Sequence, residues 1–272
     1  MRVFERHAFG SIQGFKLGWS PLGPPLMTVF CYRLGDLLID TGLAHVCKEI
    51  LEIAARHGIR RVFLTHHHED HSGNAALIRH ACHARVFGHP LTTEKMATAS
   101  PILPYQKYIW GKSTPLSIEP FPQNIETPLG AMIPIHTPGH SKDHTAFLLK
   151  DAGALFAGDL YLADTIKYFR SDENVVAQIE SLRKILKLDF DILLCGHYPK
   201  LKKGKTRIAK KLAFLETLCG DIIRLWDKGY SEKEIFRALQ LKEHYLAKIL
   251  CFGNVSMLNG VKSVIRHSTA LK

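Results

Sequence analysis

The amino-acid sequence predicts an α/β fold carrying a helical C-terminal extension. Two observations lead there. Over the first 200 residues, short apolar runs alternate with stretches of helical periodicity, the pattern of strands interleaved with helices. Beyond residue 205 the periodicity is helical throughout, and the charge changes with it. Residues 200–272 hold 16 Lys/Arg against 6 Asp/Glu, so nearly all of the net +11 belongs to the last quarter of the chain. The expected division is therefore a main domain over residues 1–200 and a basic helical unit over 201–272.

The elements follow in order. Residues 26–32 (LMTVFCY) and 36–40 (DLLID) flank Arg33, Leu34 and Gly35 and read as a β-hairpin. Residues 46–57 place Val46, Ile50, Leu51, Ile53 and Ala54 on one helical face, which Gly58 ends. Residues 61–65 (RVFLT) form a short buried strand leading into THHHEDHSGN. A helix runs from Asn74 to Cys82 and a strand covers 85–87. Residues 98–128 carry six prolines interleaved with Tyr105, Tyr108, Trp110 and Phe121, which rules out a long helix or a central strand. An excursion of that length reads as a flap over a site or as a surface loop packed by its own aromatics. Strands resume at 131–135, 145–149 and 154–157. A helix covers 175–188, and a strand over 191–195 ends at Gly196 and His197. Helical segments are then expected near 206–218, 222–228, 231–239 and 244–251, with Ser231 and Glu234 forming a capping box.

Composition excludes several classes. Hydrophobic residues make up 46% and charged residues 22% of the chain, as in ordinary globular proteins. No apolar run reaches the ~18 residues that a membrane-spanning helix needs. The N-terminal stretch has no continuous apolar segment, so a cytoplasmic protein is expected. The six cysteines are scattered, with no CxxC pair, and read as free thiols.

The sixteen histidines carry the chemistry. His66, His68, Asp70 and His71 fall within six residues, directly after a strand. Two histidines at i and i+2 share a side of an extended chain, while the Asp-His pair reaches a neighbouring point. Three further ligand-type residues follow apolar runs: His140 in IHTPGHS, Asp159 in LFAGD and His197 in LLCGH. Each is preceded by glycine (Gly139, Gly158, Gly196), which permits tight turns and close backbone approach. Together they supply five imidazoles and two carboxylates, enough for two borderline metal ions with positions left for water.

In these residues the chain resembles the metallo-β-lactamase superfamily, and within it the glyoxalase II-like hydrolases. The resemblance covers residues 25–200 and contains the family's metal motifs in order. It implies a four-layer αβ/βα sandwich. It also implies one metal on His66, His68 and His140, a second on Asp70, His71 and His197, and Asp159 bridging the two. Asp40, in LIDTG, matches the family's aspartate that orients the metal loop without binding metal. The implied cofactors are two divalent ions, zinc first, with iron or manganese as alternatives. They would hold a hydroxide for attack on an ester, thioester or lactone, with Asp70 and Asp159 as the catalytic carboxylates.

The departures narrow the substrate. Asp159 stands where the common antibiotic-degrading enzymes have cysteine, which argues against β-lactam hydrolysis. YPKLKKGK after His197 departs from the signature of true glyoxalase II enzymes, which argues against a glutathione thioester. Lys142 and Asp143 replace the small pair of the usual GHSxGH pattern, and His144 reads either as a support for His140 or as a strand-edge residue. The C-terminal extension resembles that of small endoribonucleases of the family, so phosphodiester cleavage is the alternative reaction. A mononuclear iron sulfur dioxygenase is a second alternative, and a non-enzymatic binding module a third. The expected partner is a small-molecule substrate, with nucleic acid a less favoured one and no membrane. Leu212, Leu215, Leu218, Ile222 and Trp226 give the extension an apolar face that packs on the main domain or on a second subunit, as in a homodimer.

Overall fold

The alternation of side chains along the strands decides which layers meet. The computed structural model describes residues 1–98 and 101–268. Strands β1 (Arg2–Phe9), β2 (Ile12–Trp19), β3 (Val29–Leu34) and β4 (Leu37–Ile39) pair as consecutive antiparallel neighbours. Helix α1 (Cys47–Arg56) then returns the chain to β5 (Arg61–Phe63), parallel to β4. Helices α2 (Glu69–Ser72) and α3 (Ala75–Cys82) lead to β6 (Arg85–Gly88). Helices α4 (Pro90–Ala97) and α5 (Pro104–Ile109) precede β7 (Glu119–Pro120), which closes a seven-stranded sheet.

The second sheet contains β8 (Ile125–Thr127), β9 (Gly130–His136), β10 (Thr145–Leu149), β11 (Ala154–Gly158) and β13 (Ile192–Cys195), in the order β13-β11-β10-β9-β8. Between β11 and β13 the chain forms β12 (Phe169–Arg170) and α6 (Val175–Leu186). The last stretch contains α7 (Gly204–Trp226), α8 (Glu232–Ala238), α9 (Tyr245–Leu250), β14 (Val255–Ser256), which pairs with β12, and α10 (Met257–His267).

Phe30, Tyr32, Ile39 and Phe63 of the first sheet meet Met132, Phe147, Phe156 and Leu194 of the second in one buried layer. The alternate residues Val29, Cys31, Leu38 and Val62 face Ile50, Ile53 and Ile78 of α1 and α3. On the other side Ala146, Leu148, Leu155 and Leu193 face Ile179, Leu182, Ile208 and Leu215 of α6 and α7. Helix, sheet, sheet and helix are the four layers, and the expected αβ/βα sandwich is the architecture observed.

Two differences from the expected elements have physical causes. Residues 206–218 and 222–228 belong to one helix, α7, because Leu215, Leu218, Ile222 and Leu225 continue one buried stripe through Gly220. The glycine costs about 1 kcal/mol against alanine, and the burial on either side outweighs it. The N-terminal hairpin β1–β2 was not expected, since β1 is half exposed and rich in charge; its Arg2 and Arg6 pair with Glu49 and Glu52 of α1. Helices α4 and α10 were likewise not expected. The capping box is present, with Glu234 Oε2 accepting from Ser231 N at 2.8 Å. In the proline-rich excursion, α5 is six residues long and β7 only two; residues 99 and 100 of that stretch lie outside the described residues.

Candidate metal centre

All seven ligand-type residues predicted from the sequence converge at one rim of the two sheets. His66 and His68 follow β5, and Asp70 and His71 lie on α2, whose single turn begins just after His68. His140 lies in the β9–β10 connection, Asp159 directly follows β11, and His197 follows β13. All seven are buried.

They form two groups. In the first, His68 Nδ1 lies 2.9 Å from His66 Nε2 and 3.0 Å from His140 Nε2. In the second, Asp159 Oδ1 lies 3.3 Å from His71 Nε2 and 3.4 Å from His197 Nε2, and Asp70 Oδ2 lies 3.6 Å from the same His197 atom. Asp159 joins the groups, for its Oδ2 is 3.3 Å from His140 Nε2.

Whether a cation fits is decided by unmet bonding needs. His71 Nε2 and Asp159 Oδ1 are buried without an aligned hydrogen-bond partner among the described residues, although they face each other. Two ligands each about 2.0–2.1 Å from a tetrahedral ion stand about 3.3–3.4 Å apart, which is the spacing around Asp159 Oδ1. Burial, and then neighbouring cationic groups, hold His66 and His68 well below the usual imidazole range, so their lone pairs converge as neutral ligands. In the second group burial opposes charge on His71 and His197, but the surrounding carboxylates, Asp159 foremost with Asp70 and, for His71, Asp40, together outweigh it and raise both. Burial likewise disfavours the Asp159 carboxylate, and His197 and His71 together hold it well below the usual range. The residues present therefore fit divalent metal, as His66, His68 and His140 on one side and Asp70, His71, Asp159 and His197 on the other. Backbone space agrees: a Cβ on Gly196 would stand 2.7 Å from Asp159 Oδ1 and 2.7 Å from the His71 ring.

Three of the five imidazoles are aimed by their other nitrogen. His71 Nδ1 donates to Asp40 Oδ2 at 2.7 Å, His197 Nδ1 to the Thr28 carbonyl at 2.7 Å, and His140 Nδ1 to Glu173 Oε1 at 3.1 Å. Asp40 also accepts from Thr65 N at 2.8 Å, tying the end of β5 to the carboxylate. It stays outside both groups, and it holds a left-handed φ of 59°, a conformation that Asp tolerates better than most residues. Replacing Asp40 with alanine should lower metal affinity or activity by about 10–100-fold, as loss of such a supporting bond does. Metal titration beside steady-state kinetics would check this; an unchanged Asp40→Ala protein would refute the role.

His144 resolves as a support for Asp159 rather than for His140. Its Nε2 accepts from the Asp159 backbone N–H at 3.0 Å, and burial pushes its pKa down to about 3, so the ring is neutral. Asp143, which looked like a departure from the motif, is fully buried and accepts from His67 N at 3.0 Å and Thr92 Oγ1 at 2.9 Å. It clamps the 66–68 loop. Sequence reasoning missed Glu173, Thr28 and Arg170, and no local signal marks them.

A cavity of about 390 Å³ opens onto the centre. His68, Asp70, His140, Asp159 and His197 form its floor, and α5 and α9 contribute to its walls. The proline-rich excursion is thus a wall of the site through Tyr105, Ile109 and Trp110.

The fold and these two groups define a class of metal-dependent proteins, and comparison names it. Residues 21–197 match the family described as the metallo-β-lactamase superfamily, and the chain belongs to that superfamily. Among curated relatives, the beta-lactamase-like protein 2 homolog of Drosophila melanogaster is 29% identical over 66% of this chain and 62% of its own length. An atrochrysone carboxyl ACP thioesterase of Aspergillus fumigatus is 29% identical over 72% of this chain and 59% of its own length. A hydroxyacylglutathione hydrolase of Rhodopseudomonas palustris is 31% identical over 54% of this chain and 52% of its own length. The chain thus spans roughly half to three-fifths of the length of these relatives. A metallo-β-lactamase family protein of Thermus thermophilus shares the fold, with a TM-score of 0.66 at 22% identity, covering 94% of each chain.

Proposed function

We propose that the protein is a metal-dependent hydrolase of thioesters or closely related esters and lactones, acting through two divalent ions that share Asp159. The observation that carries this reading is the pair of buried ligand groups joined by one carboxylate at the floor of a cavity. Relatives named as a thioesterase and a hydroxyacylglutathione hydrolase support acyl transfer to water. Zinc is the metal we expect, with iron or manganese accommodated by the same His/Asp donors.

When bound, the ions supply a water acidified toward neutral pH and a positive charge facing the acyl oxygen. The protein's own groups do the rest. Asp70 accepts the proton of the attacking water at its carboxylate. The water oxygen bonds to the acyl carbon, the carbon–sulfur or carbon–oxygen bond breaks, and the leaving thiolate or alkoxide takes up the proton held by Asp70 and departs as thiol or alcohol. Arg170 lines the same cavity, where its guanidinium is paired with Asp172, Nε standing 3.1 Å from Oδ1.

Phosphodiester cleavage is the weaker reading. Part of the basic C-terminal charge is engaged: Arg207 pairs with Asp164, Arg224 with Asp221 and Lys248 with Glu243, while Lys205 donates to the Leu188 carbonyl. The cavity itself is walled mostly by apolar side chains. Among the described residues no helix is long and apolar enough to cross a membrane. All six cysteines are free thiols, which fits the cytoplasmic placement we propose.

Chelation should abolish thioester hydrolysis, and added Zn, Mn or Fe should restore it, with metal content approaching two equivalents per chain. A stable single equivalent, with no turnover of thioester, ester or lactone in the reloaded protein, would overturn the reading.

A further inference from the structure

We propose that the acyl group this site accepts is bulky and apolar, and that it lies between α9 and the Tyr105–Trp110 wall. The inference rests on the hydrolase reading for the bond that is cut, and on the cavity alone for the group it holds.

The two walls come from distant parts of the chain. Leu246, Ala247 and Leu250 of α9 line one side, and Tyr105, Ile109 and Trp110 line the other. Leu26 and Met27, from the loop before β3, also border the cavity. The walls are fixed to each other, because Asn254 Nδ2 donates to Tyr105 Oη at 2.7 Å and the Asn254 carbonyl accepts from Ser171 N at 2.8 Å. The opening is therefore a built feature of the fold.

Its chemistry is one-sided. Outside the two ligand groups, the charged residues lining the cavity are Arg170 and Glu173. Arg170 is paired with Asp172, and Glu173 is taken up by His140 and Gln178. Tyr105 Oη is engaged by Asn254. A hydroxylated or charged acyl group would enter with few hydrogen-bond partners, and a polar group desolvated without partners is disfavoured. An apolar group meets the opposite case. Leu246 is 75% exposed, Leu250 57% and Leu26 81%, although each lines the cavity. Large side chains left open around one pocket are covered when an apolar ligand enters.

The experiment uses metal-loaded full-length protein and thioesters of one thiol, N-acetylcysteamine, with acetyl, butyryl, hexanoyl, octanoyl and 1-naphthoyl groups. We expect kcat/KM to rise by about threefold or more per buried methylene until the cavity is filled, following the usual free energy of burying a CH₂. In parallel, octanoate should displace the fluorescent probe 1-anilinonaphthalene-8-sulfonate from the wild type. The double variant L246Q/L250Q should flatten the chain-length profile and weaken octanoate binding at least tenfold, with unchanged metal content as the folding control. Both positions are exposed, so the variant should fold. A flat or falling profile, with the acetyl compound well hydrolysed, would overturn the inference and leave the hydrolase reading intact. Octanoate binding equal in variant and wild type would also overturn it. If no thioester is cut but octanoate binds and the variant loses it, the apolar site stands and the hydrolase reading falls.

Discussion

Asp159→Ala should abolish hydrolysis and lower metal occupancy in both groups at once, the largest single-residue effect expected in this protein. The reason is geometric. One oxygen of Asp159 faces His71 and His197, and the other faces His140. Removing the carboxylate therefore takes a ligand-type atom from each group. It also leaves the His71 and His197 rings without the charge that most raises their pKa, so both should shift toward neutral imidazole. The backbone should survive, because the Asp159 N–H to His144 bond does not involve the side chain. Deleting one charge-stabilising group from an active site costs about a hundred- to a thousandfold in rate, and the loss of metal should add to that. Elemental analysis of Asp159→Ala beside Asp40→Ala distinguishes the roles. The first should lose metal from both positions, and the second should hold it more weakly. An active Asp159→Ala enzyme with two metals bound would overturn the assignment of Asp159 as the shared ligand.

How much of this centre was legible in the sequence follows from how local each contact is. His66, His68, Asp70 and His71 are close together because one strand and one helical turn carry all four, so their spacing alone announced a site. His140, Asp159 and His197 were legible as residues that follow an apolar strand and a glycine, since strands of one sheet end at one rim. The groups that aim them were not. Glu173 meets His140 across 33 residues, and the Thr28 carbonyl meets His197 across 169. No periodicity encodes such pairs. Arg170 sits on a strand of two residues whose partner, β14, lies far along the chain, too short to leave an alternation to read. Asp143 shows the opposite error, because a buried brace looked like a broken motif until its partners His67 and Thr92 were placed beside it. The edge strand β1 escaped notice because a half-exposed strand carries the charges of a solvated surface.

A chain truncated after Lys205 should fail to fold, although the charge pattern marks 201–272 as a separate unit. Ile208, Leu215, Ile222, Ile235, Val261 and Val264 are all fully buried, and they pack in one cluster with Leu155, Leu193, Ile179 and Leu182 of the main domain. Burying such a side chain contributes about 1.5–3 kcal/mol, so these six alone match the ~5–15 kcal/mol by which a typical domain is stable. Deletion would also bare the apolar outer face of the second sheet and α6, which favours aggregation over refolding of the remainder. The coupling reaches the metal centre itself. The buried Lys211 of α7 donates to the Leu160 carbonyl at 2.7 Å, one residue from Asp159. Ser263 of α10 donates to the Glu173 carbonyl at 2.7 Å, holding the residue that aims His140. Expression of residues 1–205 should therefore give insoluble or dye-binding protein without cooperative melting and without bound metal. A monomeric, cooperatively melting 1–205 fragment that retains two metal equivalents would show that the basic helical unit is separable after all. In that case the two anchoring bonds, from Lys211 and Ser263, would be dispensable to the centre.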